Sequence, residues 1–317
     1  MTTISPSPSA LSPAATSEAP SSGTPATARL RLVTRGDDAA SSLSANRAIR
    51  EACERGVLRN VSVMAPCAWL HDAFEQLGHL SPHVAFGLHV TLTAEWDFPR
   101  WGPVLGAARV PALVDTDGCF YRQCAAIAEN ARSRRLATVA GNNTAEAGAV
   151  DADLLAQAME EVASQLATMR AVGFRPVYMD EHMGVGRAVN GLSEALHAFA
   201  AAEGLIFRPE LRPLRVGHRE DANYGAAMLE ALRCEAESGA AAPDGTLLPP
   251  LLVVAHPAYD DAEMREIRNA SNPPGRVARD REGQRLLFTQ DAVRDYVAAN
   301  VTTLRYDEAG APRRHEA

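Results

Sequence analysis

Four apolar runs in this chain end in residues that can bind a cation or move a proton. Leu30–Thr34 leads into Arg35-Gly36-Asp37-Asp38, and Val84–Leu88 leads into His89. Tyr178-Met179 leads into Asp180-Glu181-His182, and Leu251–Ala255 into His256-Pro257. Two adjacent carboxylates repel each other unless a cation or a proton separates their roles. One carboxylate and two imidazoles, each leaving a different strand, suit a divalent cation, and the spare carboxylate of Asp37 is then free to act as a base. Asp180 can accept the second ring proton of a ligating histidine. Strand alternation turns Asp180 and His182 to one side and Glu181 to the other. His256 fits a general acid at the opposite rim. Each residue also has an ordinary reading: an Asp-Asp turn with Asp38 capping the next helix, or hydrogen-bonded core histidines at 89 and 256. His71, His79, His83, His197, His218 and His315 have no comparable context.

Alternating strands and helices must position these groups. Asn60–Met64, Pro176–His182, Leu205–Arg208 and Leu251–Ala255 read as further strands, in addition to those ending at Asp38 and His89. Ala45–Arg55 reads as a helix closed by Gly56 at C′. Leu154, Leu155, Ala158, Val162, Leu166 and Met169 recur at helical spacing, which predicts a helix over 151–172 ended by Gly173. Helices are also expected over 191–203, 224–238, near 260–270 and over 290–304. Apolar strands separated by helices imply a parallel sheet, and about six such units imply an α/β (β/α) barrel, closed or incomplete. Catalytic groups in such folds collect at the carboxyl ends of the strands.

The chain has 317 residues, 46% hydrophobic and 22% charged, with a net charge of −8. That charge argues against a nucleic-acid partner, and no apolar run is long enough to span a bilayer. The five scattered cysteines form no Cys-x-x-Cys pair and read as reduced thiols. Residues 1–28, rich in Ser, Ala, Pro and Thr, read as a disordered tail without the features of a secretory signal, so a cytoplasmic location is expected. One domain is expected over 29–305, with a flexible insertion near 131–150 and a second tail over 306–317.

Taken together, these residues resemble the YdjC/ChbG-like carbohydrate deacetylases over Leu30–Leu304, the insertion excepted. The resemblance is carried by Asp37-Asp38, Asn46-x-x-Ile49-x-Glu51-Ala52-x-Glu54-x-Gly56, Ser62-Val63-Met64 and Gly87-Leu88-His89-x-x-Leu92-Thr93. Gly173-Phe174-x-Pro176, Asp180-x-His182, Arg208-Pro209 and His256-Pro257 complete it. It implies a barrel-like fold and a metal-dependent hydrolase that removes N-acetyl groups from a sugar or oligosaccharide. By position, Asp38, His89 and His182 would hold one divalent metal, Asp37 would be the base, and His256 would protonate the leaving amine. The resemblance favours Mg²⁺, while two imidazoles suit Zn²⁺, Mn²⁺ or Co²⁺ equally; it leaves a homodimer open. The chain departs from the family pattern in three places. Glu181-His182-Met183-Gly184 stands where the family often has a multi-histidine motif, Ala39-Ala40 follows the aspartates, and Thr91 follows the strand histidine. Asp180, Arg208, Trp96 and Trp101 are expected around the metal or against substrate, although a loop pinned by buried tryptophans is the more ordinary reading of the last two.

Two other functions share some of these features. A metal-dependent phosphoesterase would want ligands for two metals or an arginine cluster, and only Arg35, Arg187 and Arg208 lie near strand ends. A non-catalytic sugar-binding protein would explain the tryptophans but leave Asp37-Asp38 without a purpose.

Overall fold

The computed structural model describes residues 29–140, 144–217, 223–239 and 247–310, the side chains of 137–149 excepted. The expected N-terminal tail, and the last seven residues of the C-terminal one, lie outside the described residues. In chain order the elements are β1 (Leu30–Ala39), α1 (Leu43–Glu54), β2 (Asn60–Val63), α2 (Leu70–Leu77), β3 (Ala85–Val90), α3 (Cys124–Ala140), α4 (Thr144–Val172) and β4 (Tyr178–Glu181). Then come α5 (Leu192–Glu203), β5 (Ile206–Phe207), β6 (Arg212–Pro213), α6 (Tyr224–Ser238), β7 (Leu251–Ala255), α7 (Ala262–Glu266), α8 (Arg276–Thr289), α9 (Asp291–Asn300), β8 (Val301–Leu304) and α10 (Tyr306–Ala309). The strands form one parallel sheet in the order β5-β4-β3-β2-β1-β7-β6, with β8 joined to β1. Among the described residues β5 and β6 do not pair, so the sheet is a curled half-barrel with helices around it, an incomplete (β/α) barrel.

β1 is long enough for three neighbours. β7 runs along one side at Leu32–Gly36. On the other side β8 takes Leu30–Val33 and β2 takes Arg35–Ala39. Asn60 closes the gap where one ends and the other begins. Its Nδ2 donates to the carbonyls of Thr34 (2.9 Å) and Leu304 (3.0 Å), and its Oδ1 accepts from the Tyr306 amide (2.8 Å). Unpaired backbone groups at this buried junction would be costly, and one amide side chain satisfies three of them.

The two-residue period of the strands divides the sheet into two faces. Leu32, Val61, Val63, Phe86, Leu88, Val90, Met179, Leu251 and Val253 face outward and pack beneath the helices in the main core. Val33, Ala85, Tyr178, Leu252 and Leu304 face the concave side, where Tyr306 and Ala309 of α10 close the bottom. The Tyr306 ring stacks on Tyr178 at 4.2 Å between centroids. The folded domain therefore continues through α10 rather than ending at 305, because α10 supplies apolar cover for the concave face. One step nearer the carboxyl ends, Gly87 makes room for this stack. A Cβ there would run into the Tyr178 ring.

Other elements also differ from the expected ones. α8, rich in charge and poor in apolar periodicity, was not expected, and Val301–Leu304 is a strand instead of a helix end. The segment 131–150 is spanned by the facing ends of α3 and α4, with 141–143 outside the described residues. Gly56 follows the cap of α1 but is not left-handed; a Cβ would meet the Phe288 and Ala52 carbonyl oxygens, so close approach explains it. All five cysteines are free. No helix among the described residues is long and apolar enough to cross a membrane. Gly87→Ala is expected to destabilise the fold by about 1–3 kcal/mol through overpacking against Tyr178, measurable as a lowered urea midpoint at unchanged slope.

Candidate active site

Alternation alone would send Asp37 and Asp38 to opposite faces. Val33, Arg35 and Asp37 follow one another up the concave side, so Asp38 should point outward. The β1–β2 register slips between Gly36 and Ala39, and Asp38 and Ala40 adopt left-handed φ of 65° and 78°. This bulge turns Asp38 inward beside Asp37, a device common next to active sites. The conformation costs of order 1 kcal/mol for a non-glycine residue, which aspartate tolerates better than most. The Asn46 side chain holds the turn by accepting from the Ala40 amide at 2.7 Å.

Asp38 then meets the two expected histidines. Its Oδ1 lies 3.5 Å from His89 Nε2 and 3.4 Å from His182 Nδ1. Asp38 is 2% exposed, and this oxygen has no hydrogen-bond partner. A buried carboxylate oxygen without a partner is unfavourable. One oxygen and two ring nitrogens within 4.8 Å of one another fit a divalent cation. The far side of each ring strengthens that fit. His89 Nδ1 donates to Asp180 Oδ1 at 2.7 Å, and His182 Nε2 to Glu95 Oε2 at 2.9 Å. Each carboxylate fixes its ring and leaves the other nitrogen turned toward Asp38, the arrangement that orients metal-binding histidines.

Asp37, His89 and Asp180 form a second group with the same span, but a cation already sits among them. Arg35 donates from Nε and Nη2 to the two oxygens of Asp37 (2.7 and 2.8 Å), and its Nη1 pairs with Asp180 Oδ2 at 2.8 Å. A second guanidinium serves Asp38: Arg281, 8% exposed, donates to Oδ2 at 2.7 Å. Four carboxylates (Asp37, Asp38, Asp180 and Glu95) thus face two guanidiniums, leaving two negative charges to be met.

Without a cation, protons on the two rings meet them. Burial alone would lower the pKa of His89, but Asp180, Asp37 and Asp38 push it up to about 10. For His182 the same opposition is overcome by Glu95 and Asp38, giving about 9. Burial would likewise raise Asp38, yet Arg281 and the two imidazoles hold it well below the usual carboxylate range. Asp180 is lowered against burial by Arg35 and His89.

The other expected residues divide. His256 lines the same cavity, of about 610 Å³, as Asp37, Asp38, His89, His182 and Trp96. The His256 amide donates to Gln284 Oε1 (2.6 Å), which fixes that atom as an acceptor, so the His256 Nδ1 lying 3.0 Å from it carries a hydrogen. Gln284 is itself held by Asp280 at 2.6 Å. Trp96 lines the cavity, with Arg281 over its ring at 5.8 Å. Trp101 is buried, donates to the Thr93 carbonyl at 2.7 Å and packs edge-on behind His182. Arg208 does not line the cavity; it donates to Glu181, which does. Sequence reasoning did not single out Glu95, Arg281 or Gln284. Glu95 stood beside Trp96 in a stretch already noted for its aromatics, while Arg281 and Gln284 lie on the unexpected α8.

The chain matches the YdjC-like protein family over residues 31–299. It belongs to that family. Among curated proteins it is 30% identical over 93 residues to a carbohydrate deacetylase of Enterococcus faecalis, and 31% identical over 91 residues to one of Thermoanaerobacter pseudethanolicus. Each match spans 29% of this chain and 34% of the relative's length. The fold resembles a crystal structure from Enterococcus faecalis provisionally described as a cellobiose-phosphate cleavage protein. That comparison has a TM-score of 0.63 at 18% identity and covers 88% of this chain and 98% of the other.

This YdjC-like site makes two measurable demands on a cation. Both rings must lose a proton to become ligands, so binding at neutral pH is expected to release about two protons and to tighten as pH rises toward 9–10. Isothermal titration in buffers of different ionisation enthalpy counts those protons. Glu95→Gln is expected to weaken binding about 10- to 100-fold by loosening His182; unchanged affinity would deny Glu95 that role.

Proposed function

We propose that this chain is a metal-dependent hydrolase that removes N-acetyl groups from a carbohydrate. The observation that carries the reading is the buried Oδ1 of Asp38, which makes no hydrogen bond and is faced by two imidazole nitrogens whose other sides are anchored by carboxylates. A divalent cation held there would supply Lewis acidity toward an amide carbonyl and toward water. The substrate class comes from the curated relatives, whose name is carbohydrate deacetylase, and the resemblance of the motifs favours magnesium.

The chain's own residues then divide the proton transfers. Asp37 uses one lone pair of each oxygen on Arg35 and keeps others for the cavity. It takes the proton of the attacking water as the oxygen adds to the acyl carbon. His256 stands across the cavity with Nδ1 tied to Gln284, leaving Nε2 to deliver a proton to the departing nitrogen as the C–N bond breaks. The products are acetate and a free amine. Trp96 on the cavity wall offers an indole face for a sugar ring.

Arg35 weighs against the phosphoesterase alternative: it neutralises the acidic group that a second metal would need. The paired aspartates weigh against a non-catalytic sugar binder, since binding a neutral ring needs no such pair.

The test is acetate release from a panel of N-acetylated sugars, with metal-stripped protein reloaded in turn with Mg²⁺, Mn²⁺, Co²⁺ and Zn²⁺. Asp37→Asn and His256→Ala are each expected to lower kcat about 10²- to 10⁴-fold while still binding the cation. His182→Ala is expected to lose both. Turnover of a phosphodiester with no acetate from any sugar would hand the site to the alternative.

A further inference from the structure

Arg281 differs from the charged groups at the strand ends in its origin and its target. It comes from α8, 243 residues from Asp38 in sequence. Its Nη2 occupies Asp38 Oδ2 at 2.7 Å, while Oδ1 alone turns toward His89 and His182. The two oxygens of one carboxylate are thereby given different work.

We propose that Arg281 is a positioning residue that keeps Asp38 a one-oxygen ligand, so that the cation centre retains an extra open position for water or an acyl oxygen. The inference rests on reading Asp38, His89 and His182 as the cation site. A carboxylate binds a cation through one oxygen or through both. To use both, Asp38 would have to give up Arg281. That would leave a guanidinium only 8% exposed, beside the Trp96 ring at 5.8 Å, without its carboxylate. Breaking a buried ion pair in this way is strongly unfavourable. The same positive charge draws on the carboxylate and opposes a second cation nearby. Arg281 should therefore weaken cation binding while keeping the centre open, whereas a residue serving only the fold would have no such opposed effects.

Mn²⁺ provides a readout that does not depend on turnover. Mn²⁺ takes about six ligands. With single ligands from Asp38, His89 and His182, water-proton relaxation of the Mn²⁺-loaded wild type should count about three exchangeable waters. In Arg281→Met, isothermal titration should find Mn²⁺ bound more tightly by about tenfold or more, with about one water fewer. Arg281→Lys, which keeps the charge, should restore the wild-type affinity. Tight Mn²⁺ with about two waters in the wild type would overturn the inference and leave the cation site standing, and that measurement does not depend on any variant folding. A folded Arg281→Met that binds Mn²⁺ no more tightly than the wild type would also overturn it. Failure of the wild type to bind Mn²⁺, Mg²⁺, Co²⁺ or Zn²⁺ would remove the cation site itself, and the inference with it.

Discussion

Like charge confined in a small buried volume is the constraint on which the rest of this structure depends. Asp37, Asp38, Asp180 and Glu95 converge on one end of the concave face, where burial would favour neutral acids. Each has a basic partner: Arg35 spans Asp37 and Asp180, Arg281 holds Asp38, and the two imidazoles sit against Asp180, Glu95 and Asp38. Within this group of four the two guanidiniums leave two negative charges, the number that two ring protons or one divalent cation would carry. The same pairings that make the metal-free protein tolerable thus mark where a divalent cation would fit, between Asp38, His89 and His182.

The sheet delivers these groups by simple periodicity, and that is why so much was legible. His89, Asp180 and His256 follow the two-residue repeat from Ala85, Tyr178 and Leu252, so an apolar run ending in a polar residue was enough to find them. The placement of Asp180 behind His89 follows from the parallel register of the two residues. Asp38 was found for its neighbour rather than its geometry, since only a bulge and a left-handed φ bring it inward. Arg281 could not be found this way. It lies 243 residues from Asp38 in sequence, on a helix whose dense charge hides its buried side. Tyr306 was missed for a related reason: four residues of β8 are too few to show a strand period, so nothing marked the chain beyond 305 as part of the domain.

Arg35 shows how one residue decides between chemistries. It stands two positions before Asp37 on the same strand face, so its guanidinium cannot avoid the acidic group above it. In that place it supplies a fixed single charge, where a second metal would supply an exchangeable double one. It also links the proposed base to the carboxylate that orients His89. Asp37, Asp180 and His89 therefore share one support on strands buried beneath the helices.

The rim is built differently, and this allows centre and substrate surface to vary separately. His182 is the last buried group before the chain turns through Met183 and Gly184, both left-handed (φ 53° and 66°). Met183 is 48% exposed, and a Cβ on Gly184 would meet nothing within 4 Å. The chain departs from the family's multi-histidine pattern at these residues, which touch the cavity from its edge. His182 is held from the opposite direction, by Glu95 and the edge of Trp101. A change at 183–184 can alter what reaches the cavity without moving the ring that faces Asp38. The cluster around Asp38 and the rim at 183–184 are therefore held by separate contacts, and either can vary without the other.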